Sequence, residues 1–154
     1  MSLTVFRLAK TRYILDTSGL GAQLSGGRWN LKGTPVIYTS QSRSLALAEF
    51  LVHTPLSLLP EDLSILAIEI PKKVTFAKID LSQLKKDWNT YPASEDVIQI
   101  GQHWVLNKKS CVLKVPSAII AQEYNYILNP LHEDFAFIKF GKPEKFILDS
   151  RFKK

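Results

Sequence analysis

A chain of 154 residues with 45 % hydrophobic and 22 % charged side chains can bury one sizeable core, which excludes a disordered protein and leaves little room for two domains. No apolar run approaches the roughly 18 residues of a membrane span, and a lone cysteine, Cys111, excludes an internal disulfide and a thiolate zinc site. The formal charge of +6 suits an anionic nucleotide or an acidic protein partner; the lysines come in scattered pairs such as Lys72-Lys73 and Lys108-Lys109, without the basic stripe of a nucleic-acid reader.

In chain order, Thr4–Leu8 alternates as an opening strand, and the glycine- and serine-rich stretch Leu15–Asn30 reads as a long loop. Val36–Thr39 is a short strand. Ser42 is placed to cap a helix running to about His53, where Pro55 stops it. Leu63–Ile70 and Val74–Ile79 follow as strands, and Asp80 can cap a short helix over Leu81–Trp88. Ser94 can cap a second helix whose Val97, Ile100, Gly101, Trp104 and Val105 share one face. Strands are then expected at Cys111–Val115, Tyr124–Leu128 and Ala136–Phe140, with Phe146–Leu148 closing the sheet. Strands with two or three helices and no alternating repeat predict an α+β fold, in a single domain over 1–154.

Chemistry gathers at a few positions. Gly26 and Gly27 allow a tight turn that presents Arg28, whose guanidinium fork matches phosphate; Trp29 beside it reads as core or as part of the binding wall. Glu49 sits in the otherwise apolar run Leu45–Val52, where a carboxylate either meets a cation or faces a cleft. His53, four residues on, shares its helix face, and Tyr38 can present an aromatic face to a ligand ring. Arg7, alone in an apolar strand, is a second candidate for anion binding. Ser117 after Pro116 can bond phosphate or ribose, and Asn125, Asn129 and His132 either join the site or brace the sheet. An arginine, an aromatic and a carboxylate together suit NAD, a nucleotide with a cationic leaving group. No glycine-rich dinucleotide fingerprint is present, so binding in a Rossmann manner is not expected, and no metal site is expected.

Taken in order, these segments resemble the RES-domain family, toxins of bacterial toxin–antitoxin pairs. The resemblance rests on Phe6-Arg7-Leu8, Gly26-Gly27-Arg28-Trp29-Asn30, Val36-Ile37-Tyr38-Thr39-Ser40, Leu45–His53, Val115-Pro116-Ser117-Ala118 and Asn129-Pro130-Leu131-His132. It implies a split, mostly antiparallel sheet similar to that of ADP-ribosyltransferase toxins, with a few flanking helices and NAD held between the halves. The arginine, glutamate and serine of the family's name fall on Arg28, Glu49 and Ser117, and with Tyr38 they form the implied catalytic set. Arg7, Gly27, Trp29, His53 and Asn125 are the implied substrate-binding residues. NAD is then a substrate consumed with inorganic phosphate rather than a resident cofactor. The implied partner is an Xre-type antitoxin, in an assembly that commonly includes a toxin homodimer.

The expected reaction is phosphorolysis of NAD to nicotinamide and ADP-ribose-1-phosphate. Mono-ADP-ribosyltransfer to a protein uses the same site with another nucleophile. A nucleic-acid-binding or ribonuclease-like module, and a catalytically silent interaction protein, are the alternatives outside this chemistry. The N-terminal Met-Ser-Leu-Thr-Val-Phe-Arg-Leu has no long apolar segment of a signal peptide, and a cytoplasmic protein is the simplest expectation.

Overall fold

The computed structural model describes residues 2–153 and contains one eight-stranded sheet with helices on one face. The strands are β1 (Leu3–Lys10), β2 (Ile37–Ser40), β3 (Leu63–Ile70), β4 (Phe76–Lys78), β5 (Val112–Pro116), β6 (Tyr124–Leu128), β7 (Lys139–Phe140) and β8 (Glu144–Phe146). The helices are α1 (Leu20–Ser25), α2 (Arg43–His53) and α3 (Glu95–Asn107). The strand order is β4-β5-β6-β2-β1-β3-β7, with β8 also paired to β3, and every pair is antiparallel except β4–β5. The expected α+β class and mostly antiparallel sheet are therefore observed.

The sheet is split at its centre. β1 and β3 pair along all eight residues, and β2 and β6 along four, yet β1 meets β2 only at Phe6 opposite Ser40. A seam with one registered pair lets the two halves splay, and α2 packs across it against both β1 and β2. Helix α2 starts where the Ser42 hydroxyl accepts a hydrogen bond from the Leu45 amide at 3.1 Å, satisfying one of the open amides of the first turn.

Residues opposite one another across a ladder share a face, and neighbours along a strand alternate. Phe6, Ser40 and Asn125 are cross-strand partners and so lie on one face, as do Tyr38, Ile127 and Leu113. This face carries α3 and a cluster of Trp29, Val36, Trp88, Val97, Trp104, Leu113, Val115 and Ile127. The opposite face holds the other core: Val5, Ile37, Leu66, Ile68, Ile70, Val112, Tyr126 and Leu128, closed by Ile14 and Ile138. That second core takes residues from both sides of the seam and so staples the halves together.

The departures from sequence expectation have local causes. The segment Leu15–Asn30 is not all loop: Gly19, at φ +78°, starts the single-turn helix α1, and Gly26, at φ +70°, ends it. Leu81–Trp88 forms only a 3-10 turn over Leu81–Gln83, where Asp80 and Gln83 close a capping box before the chain turns extended at Leu84. Ala136–Phe140 is a 3-10 helix over Glu133–Phe137, started by the His132 ring accepting from the Asp134 amide, followed by the two-residue β7. The closing strand lies at Glu144–Phe146, earlier than Phe146–Leu148.

Candidate active site

The cleft is built on the helical face of the sheet, between α2 and the turn that follows α1, Gly26–Asn30. Glu49 projects from α2 toward the opposite half of the sheet. Its Oε1 accepts a hydrogen bond from the Asn125 side-chain amide at 2.6 Å and another from the Ser117 hydroxyl at 2.8 Å. Asn125 is oriented in turn by the Ser40 hydroxyl, which donates to its Oδ1 at 2.7 Å. Ser117 is fully buried, and its oxygen accepts from the amides of Ile119 and Ile120 at 3.1 and 3.2 Å. One carboxylate oxygen is thus fixed by two donors that are themselves held. Oε2 has no hydrogen-bond partner among the described residues, and no buried side-chain oxygen there lacks one, so Oε2 opens to solvent.

Arg28 forms the other wall. Its Nη1 donates to the Trp88 carbonyl at 3.0 Å, which aims the guanidinium while leaving the rest of the fork open. Burial lowers its pKa from the ordinary arginine value, and the negative charge of Glu49 opposes that shift. No ion pair joins Arg28 to Glu49 among the described residues, although each lies in the other's field. A gap between a fixed cation and a fixed anion is where a ligand carrying both signs would sit.

The turn that carries Arg28 is latched from three sides. The Tyr38 hydroxyl donates to Asn30 Oδ1 at 2.6 Å and accepts from the Trp29 amide at 3.0 Å. Burial raises the Tyr38 pKa far above its ordinary value, so the hydroxyl stays protonated. The Asn30 side-chain amide donates to the carbonyls of Ala22 and Thr34 at 2.9 and 3.0 Å. From α3, Gln102 accepts from the Leu31 amide and donates to the Thr34 hydroxyl. Gly27 is required by this packing: a Cβ there would lie 2.7 Å from the Tyr38 hydroxyl.

The structure thus brings Arg28, Tyr38, Glu49, Ser117 and Asn125 to one cleft, with different duties from those the sequence suggests. The Tyr38 hydroxyl braces the arginine turn while its ring is half-buried, and the one proton of Ser117 goes to Glu49. Trp29 is core, 3 % exposed. His53 stands at the end of α2, exposed, with its ring 6.2 Å from that of Tyr91.

Arg7 is not brought to the cleft. It alternates with Phe6 and so lies on the opposite face from Asn125, where its Nη1 donates to the carbonyls of Asp16 at 2.6 Å and Ile14 at 3.2 Å. Asn129 and His132 are structural. Asn129 joins the Val105 carbonyl to the Leu131 amide, and His132 caps the 3-10 helix. Sequence reasoning missed Ser40, Gln102 and the Trp88 carbonyl, none of which carries a type or spacing that marks a site. Two concavities of about 250 and 500 Å³ flank α3, and neither is lined by Arg28 or Glu49. No group of three or more potential metal ligands occurs among the described residues.

The site thus joins a carboxylate held by two side-chain donors to a half-buried arginine within its field, on the helical face of a split sheet. The chain matches the RES domain over residues 4–149 and belongs to that family. It is 39 % identical over 151 residues to Toxin Res of Photorhabdus laumondii, covering 97 % of this chain and 96 % of the relative. It is 36 % identical over 146 residues to the Prs ADP-ribosylating toxin of a Sphingobium species, covering 93 % of this chain and 90 % of that one. Among solved structures, the crystal structure of the M. tuberculosis MbcT–MbcA toxin–antitoxin complex matches with a TM-score of 0.71 at 18 % identity, over 96 % of this chain and 85 % of that one. That likeness extends the shared fold well beyond recognisable sequence.

Proposed function

We propose that this chain is the toxin of a bacterial toxin–antitoxin pair and acts by breaking the nicotinamide–ribose bond of NAD. The observation that supports the reading is Glu49, with Oε1 fixed by Ser117 and Asn125, Oε2 open to solvent, and the Arg28 guanidinium within its electrostatic reach. Family membership and the relatives named as toxins, one of them ADP-ribosylating, support it independently.

The pyridinium of NAD is already cationic, so the C1′–N bond breaks with its electron pair going to nitrogen, and nicotinamide leaves neutral without a general acid. The barrier is the oxocarbenium-like ribose, and a pre-placed carboxylate lowers it. Glu49 Oε2 would face that charge, and Arg28 would hold the pyrophosphate or the incoming phosphate. An oxygen of inorganic phosphate then bonds to C1′, giving ADP-ribose-1-phosphate. Ser117 and Asn125 act through Glu49, and Tyr38 through Arg28. The resemblance of the fold to a toxin held with its antitoxin supports an antitoxin protein as partner, and its Xre type follows from the family resemblance alone.

The test is mass spectrometry of NAD incubated with the purified chain, with and without phosphate. ADP-ribose-1-phosphate formed only when phosphate is present is the expected result; intact NAD in both would overturn the reading. Transfer to a protein is the second reading, favoured by the ADP-ribosylating relative. It predicts label from NAD on a macromolecule instead of in the small product.

A further inference from the structure

The segment between β4 and α3 crosses the mouth of the cleft. At one end the Trp88 carbonyl takes the Arg28 guanidinium while the Trp88 ring is buried in the core beneath α3. Three residues on, Tyr91 reaches α2, its ring centre 6.2 Å from that of His53 with the planes at 58°. His53 lies one helical turn beyond Glu49, about 6 Å along the axis and on the same side of α2. Arg28, Trp88–Tyr91, His53 and Glu49 therefore form a continuous rim.

Within that rim Tyr91 is anomalous. Its residue is 79 % exposed, whereas Trp88 beside it is 7 % exposed. It packs in neither core cluster, and its hydroxyl makes no hydrogen bond among the described residues. The backbone that carries it is nevertheless pinned, with the Trp88 amide donating to Lys85 and the Thr90 amide to Asp87. An exposed aromatic ring on a hydrogen-bonded turn at the mouth of a cleft has the geometry of a stacking platform. Tyr38, by contrast, is half-buried with its hydroxyl committed to the latch.

We propose that Tyr91 is a ligand-binding residue of this cleft, its exposed ring stacking on a planar heteroaromatic ring of the dinucleotide, with His53 beside it. The assignment rests on the reading of NAD as substrate. Both the purine and the pyridinium offer the same flat π surface, and fragment binding separates them. Base–aromatic stacking is worth about 1–3 kcal/mol by alanine substitution, or roughly 5- to 150-fold in affinity.

The experiment compares wild type, Tyr91→Ala and Tyr91→Phe in steady-state NAD turnover, with thermal melting as a fold control. Tyr91→Ala is expected to raise KM about tenfold or more, leave kcat within about twofold and leave Tm unchanged, as befits an exposed ring. Tyr91→Phe, which keeps the π face, restores KM. Inhibition by ADP-ribose and by nicotinamide mononucleotide identifies the stacked ring as the one whose fragment weakens in Tyr91→Ala. An unchanged KM, or a loss confined to kcat, overturns the proposal. So does a Tyr91→Ala protein with normal KM that binds its antitoxin more weakly, which would make Tyr91 a partner contact. If wild type leaves NAD intact, the proposed reaction fails by itself. Equilibrium binding of NAD to wild type and Tyr91→Ala then decides the stacking role, and equal affinities or no binding overturn it.

Discussion

At Tyr38, removing only the hydroxyl separates two duties that a tyrosine near a nucleotide can have. If its ring were the binding surface, Tyr38→Phe would be nearly silent. In the structure the hydroxyl bridges Asn30 and the Trp29 amide, so Tyr38→Phe strands a buried acceptor and a buried donor. Such orphaned groups cost about 1–3 kcal/mol. For a chain of this size, that corresponds to a Tm lower by roughly 2–12 °C, measured by calorimetry. The loosened turn also misplaces Arg28, so KM for NAD rises in the same variant. A Tyr38→Phe protein with wild-type Tm and KM would remove the latch from the account. The same logic makes Ser117 and Asn125 positioning residues: each donates a hydrogen bond to Glu49 Oε1, and Ser117 has no surface to offer a substrate.

Among the elements, α2, β3 and β6 are legible in the sequence because local signals agree there. Ser42 caps, Pro55 stops, and the apolar runs at Leu63–Ile70 and Tyr124–Leu128 are bounded by turn residues. Helix α1 is illegible because its ends are set by two glycines at positive φ, a signal identical to that of a loop. The candidate site is legible as residue types and illegible as contacts. Arg7 and Arg28 look alike on paper, and only the register of β1 puts Arg7 on the far face.

Gly101 is the clearest case of an element-level constraint. It reads as a weak point on the buried face of α3, yet a Cβ there would run into the Trp29 carbonyl and its backbone. Helix α3 must therefore stay bare at this position for the arginine turn to lie against it. Gly101→Ala is expected to destabilise by about 1–3 kcal/mol through overpacking and to lower turnover by shifting Arg28. Gly21→Ala in α1 is the matched control, since nothing lies within 4 Å of its Cβ and its φ is not positive. It should hold or raise Tm, because alanine narrows the unfolded ensemble. Equal Tm values for the two variants would argue against the close approach of α3 to the turn.

Across the whole molecule, the seam and the shared core make opposite claims about cooperativity. One registered pair between β1 and β2 suggests halves that could come apart, whereas the core opposite the helices takes Val5, Leu66 and Ile68 from one half and Val112, Tyr126 and Leu128 from the other. Burying that shared apolar surface outweighs the missing ladder, because each fully buried aliphatic side chain contributes about 1.5–3 kcal/mol and several of them cross the seam. Cys111 reports on this core. It is fully buried immediately before β5, its thiol donates to the Asn129 carbonyl at 3.7 Å, and burial pushes its pKa up to about 12. At pH 8 the native thiol is then almost wholly protonated and inert to an alkylating reagent, whereas an unfolded cysteine, with a pKa near ~8.5, reacts readily. The tryptophans report independently, since Trp29, Trp88 and Trp104 all lie in the cluster under α3, on the other face. Denaturant titrations followed by Cys111 alkylation and by tryptophan fluorescence should therefore share one midpoint, as a two-state unit requires. A lower midpoint for alkylation would mean that the core across the seam opens first, and that the two halves of the cleft are joined more loosely than the packing implies.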